Sequence, residues 1–262
     1  MIILLHSSKT MCIAPTGSVQ LQRPQLLDKA KRLGNYLKTL TPAELQKVMK
    51  ISPALAKKTS ELIENWNIES ENQSLALDSF IGDIYSGLQA KDLSPVDRDY
   101  ANKTLLIFSG LYGIIRPYDG IYPYRLEMAY KLPEPEFSNL YKFWGKSIAE
   151  CIPEKEPIIN LASDEYSDTI TPYIEAKRII SPKFLTKNPK TGEPIFVVVH
   201  AKIARGAFAH WLIKSRTKDA TQLNKFTDLN YHFDKELSTR NVPVFVCNKF
   251  GGKGLSIKKQ PK

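Results

Sequence analysis

SGLYGIIRPYDGIYPYRLE, residues 109–127, decides how this chain is read. It follows the apolar run Leu105-Leu106-Ile107-Phe108, whose short length and β-branched and aromatic neighbours read as a buried strand. Gly110, Gly113 and Gly120 punctuate the stretch, and Pro117 and Pro123 each remove a backbone donor. Neither a long helix nor a central strand is therefore expected to run through it. Tyr112, Tyr118, Tyr122 and Tyr124 share this backbone with Arg116, Arg125, Asp119 and Glu127. Such a loop at a strand end commonly faces a ligand, because loops on a rigid scaffold carry function. The plainer alternative is a rigid, tyrosine-rich loop stapled by ion pairs, and composition leaves both open.

The pattern of an apolar run followed by a polar cluster recurs on either side. Ile2 to Leu5 precede Ser7-Ser8-Lys9-Thr10, and Pro157 to Leu161 precede Ser163, Asp164, Glu165, Tyr166 and Asp168. Val197 to His200 read as a further strand, after which Lys202 and Arg205 open a helix, three apart and so on one face. Strands alternating with helical segments indicate a mixed α/β class. One domain over 1–250 is expected, with a basic, flexible tail over 251–262 that carries four lysines and no acid. In open α/β sheets, ligands collect at the carboxyl ends of the strands. Lys9, Arg116, Arg125, Glu127, Glu165, Lys202 and Arg205 are accordingly the candidate lining of an anion-binding cleft. The arginines would clamp the anion, and Glu165 or Glu127 would serve as acid or base. Each has a structural alternative: Lys9 as a surface lysine, and Asp164 and Glu165 as first-turn acids of a short helix capped by Ser163.

Helical periodicity runs from Pro24 through Leu37. Thr41-Pro42-Ala43-Glu44 is a helix start with threonine cap, early proline and a glutamate three after the cap. Ser52-Pro53 starts the next helix, so residues 41–65 form two helices joined by a tight turn, a helix–hairpin–helix-like unit. Between Lys38 and Ser60 there are five lysines and one acid. Lys47, Lys50, Lys57 and Lys58 make this hairpin suited to a phosphate backbone. The usual turn of such a motif carries glycines, where this chain has Ile51-Ser52-Pro53, so an ordinary αα-hairpin with a solvated lysine face stays open too. Further on, Lys187 to Glu193 is turn-rich and predicts a β-hairpin between Arg178–Thr186 and Ile195–His200. Ser138 is expected to cap a helix carrying Leu140, Tyr141, Trp144 and Ile148.

The 37 Lys and Arg against 27 Asp and Glu give a net charge of +10, which favours anionic partners without bearing on fold. Cys12, Cys151 and Cys247 are odd in number and far apart, a pattern that fits a reducing cytosol better than a disulfide framework. The first apolar run is too short for a signal peptide, and no stretch approaches membrane-spanning length. A cytoplasmic, monomeric protein without cofactor or metal is expected. The four histidines, 6, 200, 210 and 232, show no metal-ligand spacing and read as loop or core residues.

SGLYGIIRPYDGIYPYRLEM, GDIYSGL, NLYKFWG, INLASDEY and AKIARG resemble motifs of the YaaA family of peroxide-stress-response proteins. The resemblance spans nearly the whole chain, from Ser8-Lys9-Thr10 to Phe233-Asp234. It implies a cytoplasmic protein induced by hydrogen peroxide that limits free iron and oxidative DNA damage. It also implies a single compact α/β unit, described as cantaloupe-like, with a helix–hairpin–helix motif and a positive cleft that binds double-stranded DNA. The matching hairpin is Leu45 to Ala56. Near Lys9 the family pattern has proline and alanine where this chain has Ser7 and Ser8. Two functions are thus carried forward: a DNA-binding protein of the oxidative stress response, and an enzyme acting on an anionic substrate such as a nucleotide or damaged nucleic acid. Direct iron binding has no His–carboxylate spacing behind it.

Overall fold

A computed structural model describes residues 1–17, 19–68 and 73–254. The first strand, β1 (Ile2–His6), is buried at every position. Three helices follow it, α1 (Leu27–Leu37), α2 (Pro42–Met49) and α3 (Pro53–Glu64). Next come α4 (Asp83–Leu88), α5 (Pro95–Thr104), β2 (Leu105–Ser109) and β3 (Gly113–Ile115). β4 (Ile158–Asn160) leads into the single turn α6 (Asp164–Ser167), then β5 (Ile179–Ile180), β6 (Lys183–Lys187) and β7 (Pro194–Ile195). The chain closes with α7 (Val198–Ser215), β8 (Tyr231–Thr239) and β9 (Val242–Cys247).

One sheet has the strand order β3-β2-β1-β4-β5. β1 pairs in parallel with both neighbours, Leu5 opposite Ile107 and Ile3 opposite Ile159. An unbroken apolar run such as Ile2 to Leu5 is what a central parallel strand with both faces covered requires. The chain passes from β1 to β2 on one side and later returns to β4 on the other. The carboxyl end of β1 is therefore a topological switch point, where a crevice opens in sheets of this kind. β3 turns back antiparallel on β2, with Phe108 opposite Ile114, so the prolines that follow it meet no central ladder.

The second sheet has the order β7-β6-β9-β8. β6 and β7 pair antiparallel, Thr186 opposite Ile195, which is the hairpin expected around the 187–193 turn. Phe184, Phe208, Phe226 and Phe245 pack edge-on and stacked beneath this sheet, with centroids 4.8–6.1 Å apart, spacings at which aromatic pairs attract. Buried residues from Leu4 to Cys247 form one continuous core, so the architecture is a single mixed α/β domain. Among the described residues no helix is long and apolar enough to cross a membrane.

The helix starts follow their sequence signals. Thr41 and Glu44, and again Ser94 and Asp97, form reciprocal capping boxes. Between α2 and α3 the left-handed turn residue is Lys50, with φ of 52°, a conformation that glycine more commonly supplies. Ser52 then caps α3 by accepting from the Leu55 N–H.

Two expectations are corrected. Val197 to His200 is not a strand: β7 ends at Ile195, and Val198 already belongs to α7. The β-branched run is overruled because the continuing helix buries Ala201, Ala204, Ala207 and Phe208, and tertiary burial outweighs a weak intrinsic preference. The helix expected from Ser138 is capped by Asn139 instead and breaks at Gly145, giving Leu140–Trp144 and Ser147–Glu150. The 109–127 stretch, open in the sequence between a ligand-facing loop and a rigid structural one, is mostly core, with Tyr112, Asp119 and Tyr124 all buried. Of the expected tail, Gly254 lies against Ile203 and Asp83, and residues 255–262 lie outside the described residues.

α7 is held by α4 through two glycines facing each other's backbone. A Cβ on Gly206 would sit 1.8 Å from the Ile84 carbonyl oxygen, and one on Gly87 would sit 2.0 Å from that of Ile203. Neither partner is a flexible side-chain end, so the helices would have to part. Gly206→Ala is expected to destabilise the protein by about 2 kcal/mol, read as a fall in thermal midpoint of roughly 6 °C. An unchanged midpoint would mean that the two helices do not cross this closely.

Candidate nucleic-acid interface and strand-end cleft

At the carboxyl ends of β1 and β4 lies a cleft of about 540 Å³, and Lys9, Glu127, Glu165, Lys202 and Arg205 all line it. Lys9 follows β1, Glu165 stands on α6 after β4, and Lys202 and Arg205 are one turn apart on α7. Arg125 stands beside them, its Nη1 donating to the Lys9 carbonyl at 3.1 Å. Arg116 is not brought to the cleft. Its Nε and Nη2 fork onto Asp119 Oδ1 at 3.1 and 2.8 Å, and Nη2 also donates to the Arg23 carbonyl at 3.0 Å. The signature stretch is therefore a structural staple over most of its length and reaches the cleft only at its end.

The cleft is electrically divided. Lys9 Nζ pairs with Glu127 Oε2 at 2.6 Å, and that hydrogen bond raises the lysine's pKa. Glu165 Oε1 accepts from the Ala129 N–H at 3.0 Å. Burial raises the Glu165 pKa, the Ala129 hydrogen bond opposes this, and the neighbouring Glu127 adds to the rise. Lys202 is exposed and Arg205 half-buried, and neither forms an ion pair with a described residue. Burial lowers the Arg205 pKa, with Asp164 opposing from beyond ion-pair distance.

His6 has a larger part here than its sequence context indicates. It is buried and stacks on Tyr166, centroids 5.0 Å apart and planes 14° from parallel. Its Nδ1 accepts from the Ser163 N–H at 3.2 Å, which leaves the proton of the neutral ring on Nε2. Burial, then Arg205, then Lys202 push its pKa down to about 3. The one signal available in the sequence is its place as the last residue of an apolar central strand. Below it, Ser7 Oγ meets Tyr166 OH at 3.2 Å, and Ser109 Oγ meets Tyr124 OH at 2.5 Å. These tyrosines are held protonated by burial, so they orient Ser7 rather than activate it.

The His6 shift has a direct consequence for stability. The unfolded chain takes up a proton near pH 6.5 while the folded chain does not until about pH 3, so stability falls as pH drops through that window. The loss from this group at pH 4.5 is expected to be about 2–3 kcal/mol. His6→Asn keeps an acceptor for Ser163 but cannot titrate. Urea unfolding from pH 7 to 4.5 is expected to show a shallower decline in that variant; parallel declines would contradict the buried neutral imidazole.

A second concavity, of about 770 Å³, lies between α2 and the segment after Glu127, and Lys47, Lys50, Tyr130 and Lys131 line it. Glu44 also lines it, but its carboxylate is engaged by the Thr41 N–H and hydroxyl at the helix cap. Lys57 and Lys58 are exposed on α3, outside this lining. The two concavities share a wall. Ala129 lines the groove while its N–H binds Glu165 of the cleft, and the Tyr130 N–H donates to the Glu127 carbonyl at 3.3 Å. Tyr130 and Lys131 carry no signal in the sequence, since only the fold brings them to the hairpin.

Comparison with known families bears on the whole of this arrangement. A family model described as "Peroxide stress protein YaaA" matches residues 1–237. The chain belongs to the YaaA family. A UPF0246 protein of Salinispora tropica is 53% identical over 259 residues, covering 99% of this chain and 98% of that protein. Another UPF0246 protein, of Marinomonas sp. strain MWYL1, is 37% identical over 250 residues, covering 93% and 95%. The YaaA match runs from β1 into β8, and so includes every residue of the cleft and groove named above.

Proposed function

We propose that this protein acts in the peroxide stress response by binding double-stranded DNA in the cytoplasm, through its backbone and without regard to sequence. The observation that carries the reading is the shared wall. Lys47, Lys50 and Lys131 line one groove whose Ala129–Tyr130 wall is shared with the cleft of Lys202 and Arg205, so a basic track follows the α2–α3 hairpin and ends at the wall of the strand-end cleft. Lysines set along a groove are suited to phosphates, which position a duplex without reading its bases. Limitation of oxidative DNA damage would follow from occupancy of the DNA, and a lower level of free iron would be an indirect consequence. The test is fluorescence anisotropy of a labelled duplex with the wild type and with the Lys47→Glu/Lys50→Glu/Lys131→Glu variant. Weaker binding by the variant is expected; equal affinity at matched salt would sink the track.

A second reading is supported by the convergence of Lys9, Glu127, Glu165, Lys202 and Arg205 in one cleft. A surface that only follows phosphates has no use for two half-buried carboxylates among its cations. The cleft in this reading handles a small anionic group, with Glu165 as the proton-exchanging residue.

A further inference from the structure

We propose that the strand-end cleft is a subsite for a single nucleoside phosphate, its phosphate against Lys202 and Arg205 and its base or sugar donors against Glu127 and Glu165. The inference deepens the proposed nucleic-acid reading and rests on it for the choice of nucleotide over other phosphorylated compounds.

Size is the first argument. About 540 Å³ lies within the range of small-ligand sites, roughly 300–1,000 Å³. A duplex, whose major groove alone is about 12 Å wide, cannot enter such a space. A single nucleotide can, either free or at the end of a strand.

Charge segregation is the second. Lys202 and Arg205 stand together on α7, whereas Glu165 stands on α6 and accepts from the Ala129 N–H, and Glu127 pairs with Lys9. The α7 side of the cleft thus holds two cations without an ion-pair partner among the described residues, and the α6 side holds two carboxylates, one of them paired with Lys9. His6 adds a neutral N–H donor on the cationic side, since its Nδ1 is already accepting from Ser163. Asp83 lines the cleft as well, beside Gly254. Lys9 does not add to the free positive charge, because Glu127 neutralises it. A uniformly anionic ligand would be repelled from the carboxylate side. The complementary ligand is anionic at one end and rich in N–H and O–H donors at the other, which describes a nucleoside monophosphate. Ile81 and Ile84 give the cleft apolar wall as well.

Position is the third. The Ala129–Glu165 hydrogen bond joins the cleft to the basic groove, so a strand lying on the groove would present a terminal nucleotide to the cleft with its 5′-phosphate leading.

The experiment is calorimetric titration of the full chain with the four deoxynucleoside 5′-monophosphates, the matching nucleosides and inorganic phosphate. A nucleotide is expected to bind more tightly than either fragment. Lys202→Ala, at an exposed position, and Arg205→Ala are each expected to weaken nucleotide binding about tenfold, and Glu165→Gln to weaken nucleotide but not phosphate. Lys47→Glu/Lys50→Glu should leave mononucleotide binding unchanged while reducing duplex binding, so failure of the groove and failure of the cleft are told apart. Competition by a 5′-phosphorylated single strand, against a 5′-hydroxyl control, assigns the nucleotide to a nucleic-acid end; lack of competition assigns it to a free nucleotide. Equal affinity for phosphate and nucleotide, or nucleotide binding indifferent to both Lys202 and Arg205, overturns the proposal.

Discussion

Arg116→Ala is expected to destabilise the protein by about 3 kcal/mol, lowering the thermal midpoint by roughly 10 °C, without weakening DNA binding by the folded protein. Asp119 is fully buried, and Arg116, at 30% side-chain exposure, is its ion-pair partner. Removing the arginine leaves Asp119 Oδ1 without its two guanidinium donors, while Oδ2 keeps the backbone N–H of residue 116 at 2.8 Å. The penalty is that of a buried charge left short of partners. Burial already raises the Asp119 pKa, and the Arg116 backbone hydrogen bond and charge hold it back. Without the guanidinium the pKa should rise further. The folded variant would then take up a proton more readily than its unfolded chain, so the deficit narrows as pH falls through the acidic range. Arg116→Ala/Asp119→Asn is expected to recover most of the loss. A stable Arg116→Ala protein with impaired DNA binding would instead return the signature stretch to a ligand-facing role.

That prediction turns on what sequence can and cannot show. The apolar runs 2–5, 105–108 and 158–159 announce buried parallel strands, because short, β-branched and aromatic-rich runs suit a strand covered on both faces. The helix starts at Thr41, Ser52 and Ser94 are equally legible, since capping is local chemistry. The rest depends on contacts far apart in the chain. Arg116 and Arg125 look alike in sequence, yet one staples Asp119 and the other reaches Lys9. Val197 to His200 has strand composition but helical surroundings. His6 reads as an ordinary histidine until the fold sets Tyr166, Ser163 and Arg205 around it. Lys131 joins Lys47 and Lys50 across more than eighty residues of sequence. The candidate cleft is legible in outline because strand ends converge in such a sheet; the groove beside it is legible only on its hairpin side.

The larger functional effect is expected from that groove. Each lysine that neutralises a phosphate adds about 0.9 to the slope of log affinity against log salt. Lys47, Lys50 and Lys131 together would therefore account for about 2.7 of the slope, and reversing all of them adds repulsion to the lost contacts. At low salt the loss should exceed roughly a hundredfold and shrink as salt rises. Lys57→Glu/Lys58→Glu, on the face of α3 outside the groove, serves as a comparison of the same kind and should have a smaller effect. The most direct measurement is duplex affinity across roughly 50–300 mM salt for the wild type, the groove variant and the α3 variant, with folding checked by thermal unfolding. The basic track predicts a slope shallower by about three phosphates in the groove variant and by less in the α3 variant. Coincident slopes for the wild type and the groove variant would contradict it.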